Sequence, residues 1–178
     1  MKVKELLEQL TILNENNRAD IYHSTPYYHA ISILQTNIMR AETSHKINGK
    51  KVYGCSFTRD LNFAKNWGFR SNLPIIFDVD FNKLNQNYKI TPINYFNQSI
   101  PNDKESAILR QGAEAEAEEF VIGKISNFNN YLKEILITKL THIALLDLKN
   151  NGDDIDDNNI LRADLYTILN HPKLRIIN

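Results

Sequence analysis

The sequence predicts an α+β fold, with helices early in the chain and mostly antiparallel strands later, and three observations predict it. Apolar residues recur at three- and four-residue spacing in the first part of the chain, as they do on the buried side of a helix. Short runs rich in β-branched and aromatic residues, such as Pro74-Ile75-Ile76-Phe77-Asp78-Val79-Asp80, follow later and read as strands. The 178 residues carry ordinary apolar content, enough for one sizeable core, so a single domain is expected.

The elements follow in order. Residues 2–16 read as a helix because Leu6, Leu7, Leu10 and Leu13 fall on one side, while Glu5, Glu8 and Glu15 face water. Ile21-Tyr22-His23 is a short β-prone run. Thr25 is then expected to cap a helix over Pro26–Leu34, with Tyr27, Ala30, Ile31 and Leu34 inward and Asn37 at its exit. Residues 42–51 are polar and contain Asn48-Gly49, a loop or hairpin-turn signal. Lys51–Phe57 reads as extended, and Thr58 or Asp60 caps a helix containing Leu61, Phe63, Ala64 and Trp67. One helical turn is expected over Phe81–Leu84. Tyr88–Pro92 is extended, with Pro92 pointing to an edge strand or a strand end.

Asn94–Gln111 has no sustained period and is expected to be a long loop, of the kind that often serves as a lid or binding segment. Phe120–Ile125 and Glu134–Thr138 read as strands. Lys139–Leu148 fits either helix or strand, residues 149–159 an acidic turn, Ile160–Leu169 a last helix and Leu174–Ile177 a final strand. The core would then span about residues 20–138, between an N-terminal helix and a C-terminal extension.

Composition excludes several function classes. Lys plus Arg equals Asp plus Glu at 21 each, so no net field draws the protein to nucleic acid or an anionic membrane. Cys55 is the only cysteine, which rules out an internal disulfide and a thiolate zinc site. With no secretory pattern at the N-terminus and no long apolar run, a cytoplasmic protein without a membrane partner is expected. Asp147–Asn158 departs from a calcium loop at two ligand positions, and the histidines show no metal spacing.

Three polar stretches carry the candidate chemistry. In Glu114-Ala115-Glu116-Ala117-Glu118-Glu119-Phe120, four carboxylates crowd the start of an apolar strand, an unfavourable arrangement unless they are solvated or used. A solvated acidic loop is the plain reading of that stretch alone. In Tyr22-His23-Ser24-Thr25, a histidine at a strand end precedes a helix N-terminus whose free amides suit a phosphate or ribose. In Ser56-Phe57-Thr58-Arg59-Asp60, the two hydroxyls alternate with Phe57 and therefore share one side of a strand.

Taken in order, these stretches resemble the ADP-ribosyltransferase superfamily, with a His on the first core strand, a Ser/Thr strand in the middle and a Glu-x-Glu loop entering a later strand. The likeness covers about residues 20–138 and extends to phage and bacterial proteins with similar His-x-Thr, Ser-x-Thr-Arg and Glu-x-Glu-Glu stretches. It implies a split, mostly antiparallel sheet and NAD as substrate. His23, Ser24 and Thr25 would lie at the dinucleotide, with His23 bonding a ribose or the amide. Ser56 and Thr58 would brace the nicotinamide half, and Tyr53, Phe57 or Trp67 would supply the stacking ring. Arg59 would meet the pyrophosphate or, equally, pair with Asp60 or another carboxylate.

In that resemblance a terminal glutamate holds the ribose 2′-hydroxyl and stabilises the oxocarbenium-like transition state. Glu118 completes the Glu-x-Glu spacing with Glu116, which would orient the acceptor. Glu119 directly abuts the apolar strand, and only one of the adjacent pair can face the pocket. The implied acceptor is a host or cellular macromolecule, protein rather than nucleic acid. A catalytically silent nucleotide- or protein-binding module on the same fold is the alternative. A two-histidine phosphodiesterase is a weaker one, because Ala144 after His142 lacks the hydroxyl that such a motif needs.

Overall fold

The β-prone run around His23 is longer than Ile21–His23. In the computed structural model, which describes residues 20–47, 50–67, 73–94, 117–151 and 161–178, strand β1 spans Asp20–Pro26. Thr25 is buried in this strand and does not cap the helix. Pro26 occupies the cap position without a side-chain cap bond, and α1 runs Tyr27–Thr36. The proline ring fixes a φ of −61° there, so the turn needs no side-chain cap. Tyr27, Ala30, Ile31 and Leu34 are buried as their spacing predicts, with Ile33 beside them. Asn37 ends the helix in the left-handed region at φ 56°.

Strand β2 (Ile38–Met39), β3 (Thr43–Ile47) and β4 (Lys50–Thr58) follow. Ile47 pairs with Lys50, and Asn48-Gly49, where a turn is expected, lies outside the described residues. Asp60, rather than Thr58, caps α2 (Leu61–Trp67): its Oδ1 accepts from Asn62 N at 2.7 Å and Phe63 N at 3.3 Å. Beyond β5 (Pro74–Asp80), the single turn expected at Phe81 is a full helix, α3 (Phe81–Asn87), capped by Asp80 through Lys83 N.

The strand predicted at Tyr88–Pro92 runs later, as β6 (Ile90–Asn94). The strand predicted at Phe120–Ile125 is two pieces, β7 (Ala117–Ile122) and β8 (Ile125–Ser126), because Gly123 turns the chain at φ 86°. Strand β9 (Leu132–Thr138) leads into helix α4 (Lys139–Asn151), the ambiguous stretch. A 3₁₀ turn (Arg162–Leu165), α5 (Tyr166–Leu169) and β10 (Leu174–Ile177) close the chain. The helix expected over 2–16, the loop beyond 94, Glu114 and Glu116, and most of the acidic turn after 151 lie outside the described residues.

The main sheet has eight strands in the order β10-β9-β5-β1-β4-β7-β6, with β3 also on β4, and β2 pairs β8 in a second small sheet. Every pairing is antiparallel except β10 with β9, so the fold is α+β with a mostly antiparallel sheet. Pro92 lies on β6 at one edge, where its missing N–H costs no ladder bond. Ile21, Phe57, Phe77, Val79, Val121, Ile135 and Ile137 belong to one buried cluster with α1, Leu145 and Ile168. Each large apolar side chain so buried contributes about 1.5–3 kcal/mol. A smaller cluster joins Ile76 and Leu136 to Ala64 of α2. No helix among the described residues is long and apolar enough to cross a membrane.

Asp78 interrupts the apolar run of β5. It is buried with no partner for Oδ1, and burial first, then Asp20, Glu134 and Asp80, push its carboxyl up to about 6 from 3.8, against the opposing pull of Lys133. Between those values the unfolded chain releases the proton while the folded chain keeps it, so stability falls as pH rises through this window. Asp78→Asn is expected to stabilise the protein by about 2 kcal/mol above the window and little below it, less than the full shift because solvent screens part of the charge. Urea unfolding of both proteins at several pH values measures the difference, and parallel pH profiles would refute it.

Candidate active-site cleft in a forked sheet

The site originates in an unequal sharing of β4. One edge of this strand pairs with β7 from Gly54 to Thr58. The opposite edge is divided: Thr58 pairs with Tyr22 of β1, and Lys50–Gly54 pair with β3. Among the described residues, Cys55–Phe57 have no registered partner on that edge. The sheet therefore forks, with β1 and β3 as the two prongs. A cleft of about 210 Å³ lies in the fork, lined by His23, Ser24 and Thr25 of β1, Gly54 and Cys55 of β4, and Thr43 of β3. Its remaining walls are His29, Ser32 and Ile33 of α1 and the segment Ile38–Glu42 apart from Ala41.

His23 crosses the base of the fork. Its Nδ1 lies 2.8 Å from the carbonyl oxygen of Ser56, which can only accept, so Nδ1 carries the proton and Nε2 is left as an acceptor in the neutral ring. Burial holds the imidazole pKa below its ordinary value, against the raising effects of the Ser56 carbonyl and Glu42. The ring packs on Phe57 at 5.8 Å between centroids. The hydroxyls of Ser24 and Ser56 are buried without hydrogen-bond partners. Of the two, Ser24 lines the cleft, so its hydroxyl offers hydrogen-bonding capacity that a polar ligand can use.

The three motif strands, β1, β4 and β7, are neighbours in that order. Register places Phe57 opposite Glu119 and Thr58 opposite Glu118, so the two glutamates stand on opposite faces. Position 119 shares its face with His23 and Phe57, whereas position 118 shares its face with Ser56 and Thr58. Glu119 is fully buried and ion-paired with Arg59, whose guanidinium also lies 5.5 Å from the centre of the Phe81 ring. Arg59 is not among the cleft residues, and Glu119 is a carboxylate partner of its guanidinium.

Of the other expected site residues, Phe57 is a core side chain, 2% exposed, and Thr58 Oγ1 accepts from Asp60 N at 3.2 Å. His23, Ser24 and Thr25 line the cleft; Ser56, Phe57, Thr58 and Arg59 do not. Glu116 lies outside the described residues. His142 is on α4 and is not among the cleft residues, so His23 has no second histidine of that motif beside it.

Sequence reasoning missed His29, Ser32, Arg40, Glu42, Thr43 and Cys55. The polar flank of α1 was legible from its buried face, but nothing local links it to residues 40–43 or 54–55. His29 Nδ1 lies 3.2 Å from Glu42 Oε2 at the cleft wall. Cys55 is buried, which pushes its thiol up to about 12 and disfavours the thiolate, and its sulfur lies 3.4 Å from the Arg40 carbonyl oxygen. Among the described residues no group of three or more His, Cys, Asp or Glu is arranged to hold a metal ion. These features define an α+β protein with a forked antiparallel sheet and a small polar cleft at the fork. Compared with protein-family models, curated proteins and solved structures, the chain gives no match in any of the three.

Proposed function

We propose that the protein is an NAD-dependent mono-ADP-ribosyltransferase built on an ADP-ribosyltransferase-like sheet, acting on a cellular or host macromolecule. The observation that carries this reading is the adjacency of β1, β4 and β7, three strands far apart in the chain that bear the His, Ser-x-Thr and Glu motifs. The fork opens beside His23, the motif expected to meet the dinucleotide. The free Ser24 hydroxyl of the cleft suits a polar ligand such as a planar amide, and His23 Nε2 suits a ribose hydroxyl.

The ion pair supports different roles for the two glutamates. Glu119 is neutralised by Arg59 and buried, so its carboxylate serves the fold. Glu118, opposite Thr58 on the Ser56 face, is the position assigned to the ribose 2′-hydroxyl, and since register puts it on the face opposite His23, this reading requires NAD to reach both faces at the fork. As the nicotinamide–ribose bond breaks, positive charge spreads over the ribose C1 and ring oxygen. A carboxylate bonded to the 2′-hydroxyl stabilises that charge more than it stabilises intact NAD. The departing nicotinamide takes the bonding electron pair and leaves as the neutral base, and the acceptor nucleophile forms the new bond at C1 as it loses its proton.

Glu118→Gln is expected to lower nicotinamide release from NAD by about 100-fold while leaving thermal stability unchanged, a loss typical of removing one transition-state contact. Labelled NAD incubated with the protein and a cell lysate reads the transfer directly, and full activity in the variant would reject the assignment. Saturable NAD binding without nicotinamide release in the wild type would favour the silent binding module.

A further inference from the structure

With Arg59 committed to Glu119, a phosphate entering the cleft needs another cation. The cleft wall supplies Arg40, the single arginine or lysine among the lining residues, exposed and with no carboxylate partner among the described residues. Beside it along the wall are His29, held by Glu42, and the hydroxyl-bearing Ser32 and Thr43.

We propose that Arg40 and His29 form a phosphate-binding subsite of this cleft, and that Glu42 occupies His29 as an exchangeable stand-in until a ligand phosphate displaces it. The assignment rests on the NAD reading above and names the part of the site that holds the diphosphate.

Both groups stand on fixed backbone. Met39 is buried, Ile38 and Met39 pair with Ser126 and Ile125, and Glu42 N bonds the Arg40 carbonyl at 3.1 Å. His29 is carried by a helix whose opposite side is in the core. A guanidinium meets two phosphate oxygens at once, and hydroxyls supply further donors. Glu42 occupies the place of an anion at the His29 ring. The His29 and Glu42 side chains are 46% and 58% exposed, so their contact is weak and readily exchanged. With Glu42 in place the Arg40–Glu42 wall is formally neutral; once Glu42 turns away it is cationic. A carboxylate so placed repels an arriving phosphate, and its removal favours binding.

Calorimetric titration of the wild type, Arg40→Gln and Glu42→Gln with ADP-ribose, inorganic pyrophosphate and nicotinamide tests this. Arg40→Gln is expected to weaken ADP-ribose binding about tenfold, and Glu42→Gln to strengthen it about threefold. Nicotinamide affinity and thermal stability should not change, because neither side chain is buried. Pyrophosphate binding that depends on Arg40, in a protein that binds no NAD, would keep the subsite and reject the transferase reading. NAD binding and turnover indifferent to both substitutions would overturn the subsite and leave the reading standing. Failure of the wild type to bind any of the phosphate ligands, NAD included, would overturn both.

Discussion

Arg59→Met is expected to destabilise the protein by about 3–5 kcal/mol, because it takes the Arg59 guanidinium away from a fully buried carboxylate. Glu119 is 0% exposed and sits between the Phe57 and Pro92 positions, so water has no route to replace the lost partner. The guanidinium also gives up its contact with the Phe81 ring. Glu119→Gln is the milder change, since Arg59 keeps partial solvent access and the amide can still accept a hydrogen bond.

The pH dependence has a definite sign. In Arg59→Met the carboxyl left behind favours its protonated form in the folded state, which raises its folded pKa above the unfolded one. Stability is then regained in acid and lost as pH rises, so the deficit is largest at neutral pH and above. Combining Arg59→Met with Glu119→Met removes both charges and should recover most of the loss. Urea unfolding of the two single variants and the double variant forms the cycle that measures the coupling. Additive effects would show that the pair does not stabilise the fold as a unit.

Gly54→Ala is expected to cost about 3 kcal/mol, near the upper end for overpacking, and to lower Tm by about 6–12 °C. A Cβ at this position would lie 2.2 Å from the Val121 carbonyl oxygen and 2.6 Å from the nearest Phe120 ring atom. Retreat is blocked on both sides, since Gly54 pairs with Thr43 of β3 and Ile122 of β7 at once. A displaced β4 would also move one wall of the cleft, so ligand affinity should fall along with stability. An unchanged Tm would mean that β4 and β7 can separate without losing their register.

The two substitutions also show where local sequence signals stop. Arg59 follows directly on β4, as its local pattern indicates, whereas Glu119, expected just before an apolar strand, lies inside β7. Neither stretch contains information that β4 and β7 are neighbours. Their ion pair exists because strand pairing brings positions 57 and 119 opposite each other. The same limit applies to Gly54, where a single glycine in a strand suggests close backbone approach but not which backbone approaches. Thr25 shows a local failure: a good capping residue before a proline predicts a cap, yet the β1 ladder continues to Pro26. Gly123 shows another, because one positive φ cut an apolar run into two strands in different sheets.

Spacing and residue type were sufficient for the α+β class, for most helices and strands, and for recognising that three strands carry polar side chains at their ends or turns. Those properties depend on a few consecutive residues, where a period of two or of three to four determines which side chains share a face. The fork, the cleft residues outside β1, the ion pair of Glu119 and the opposite faces of positions 118 and 119 relative to His23 came from long-range pairing. Strand order and register are chosen by burying a common core across the whole chain, and a prong of the fork is defined by a partner that lies many residues away.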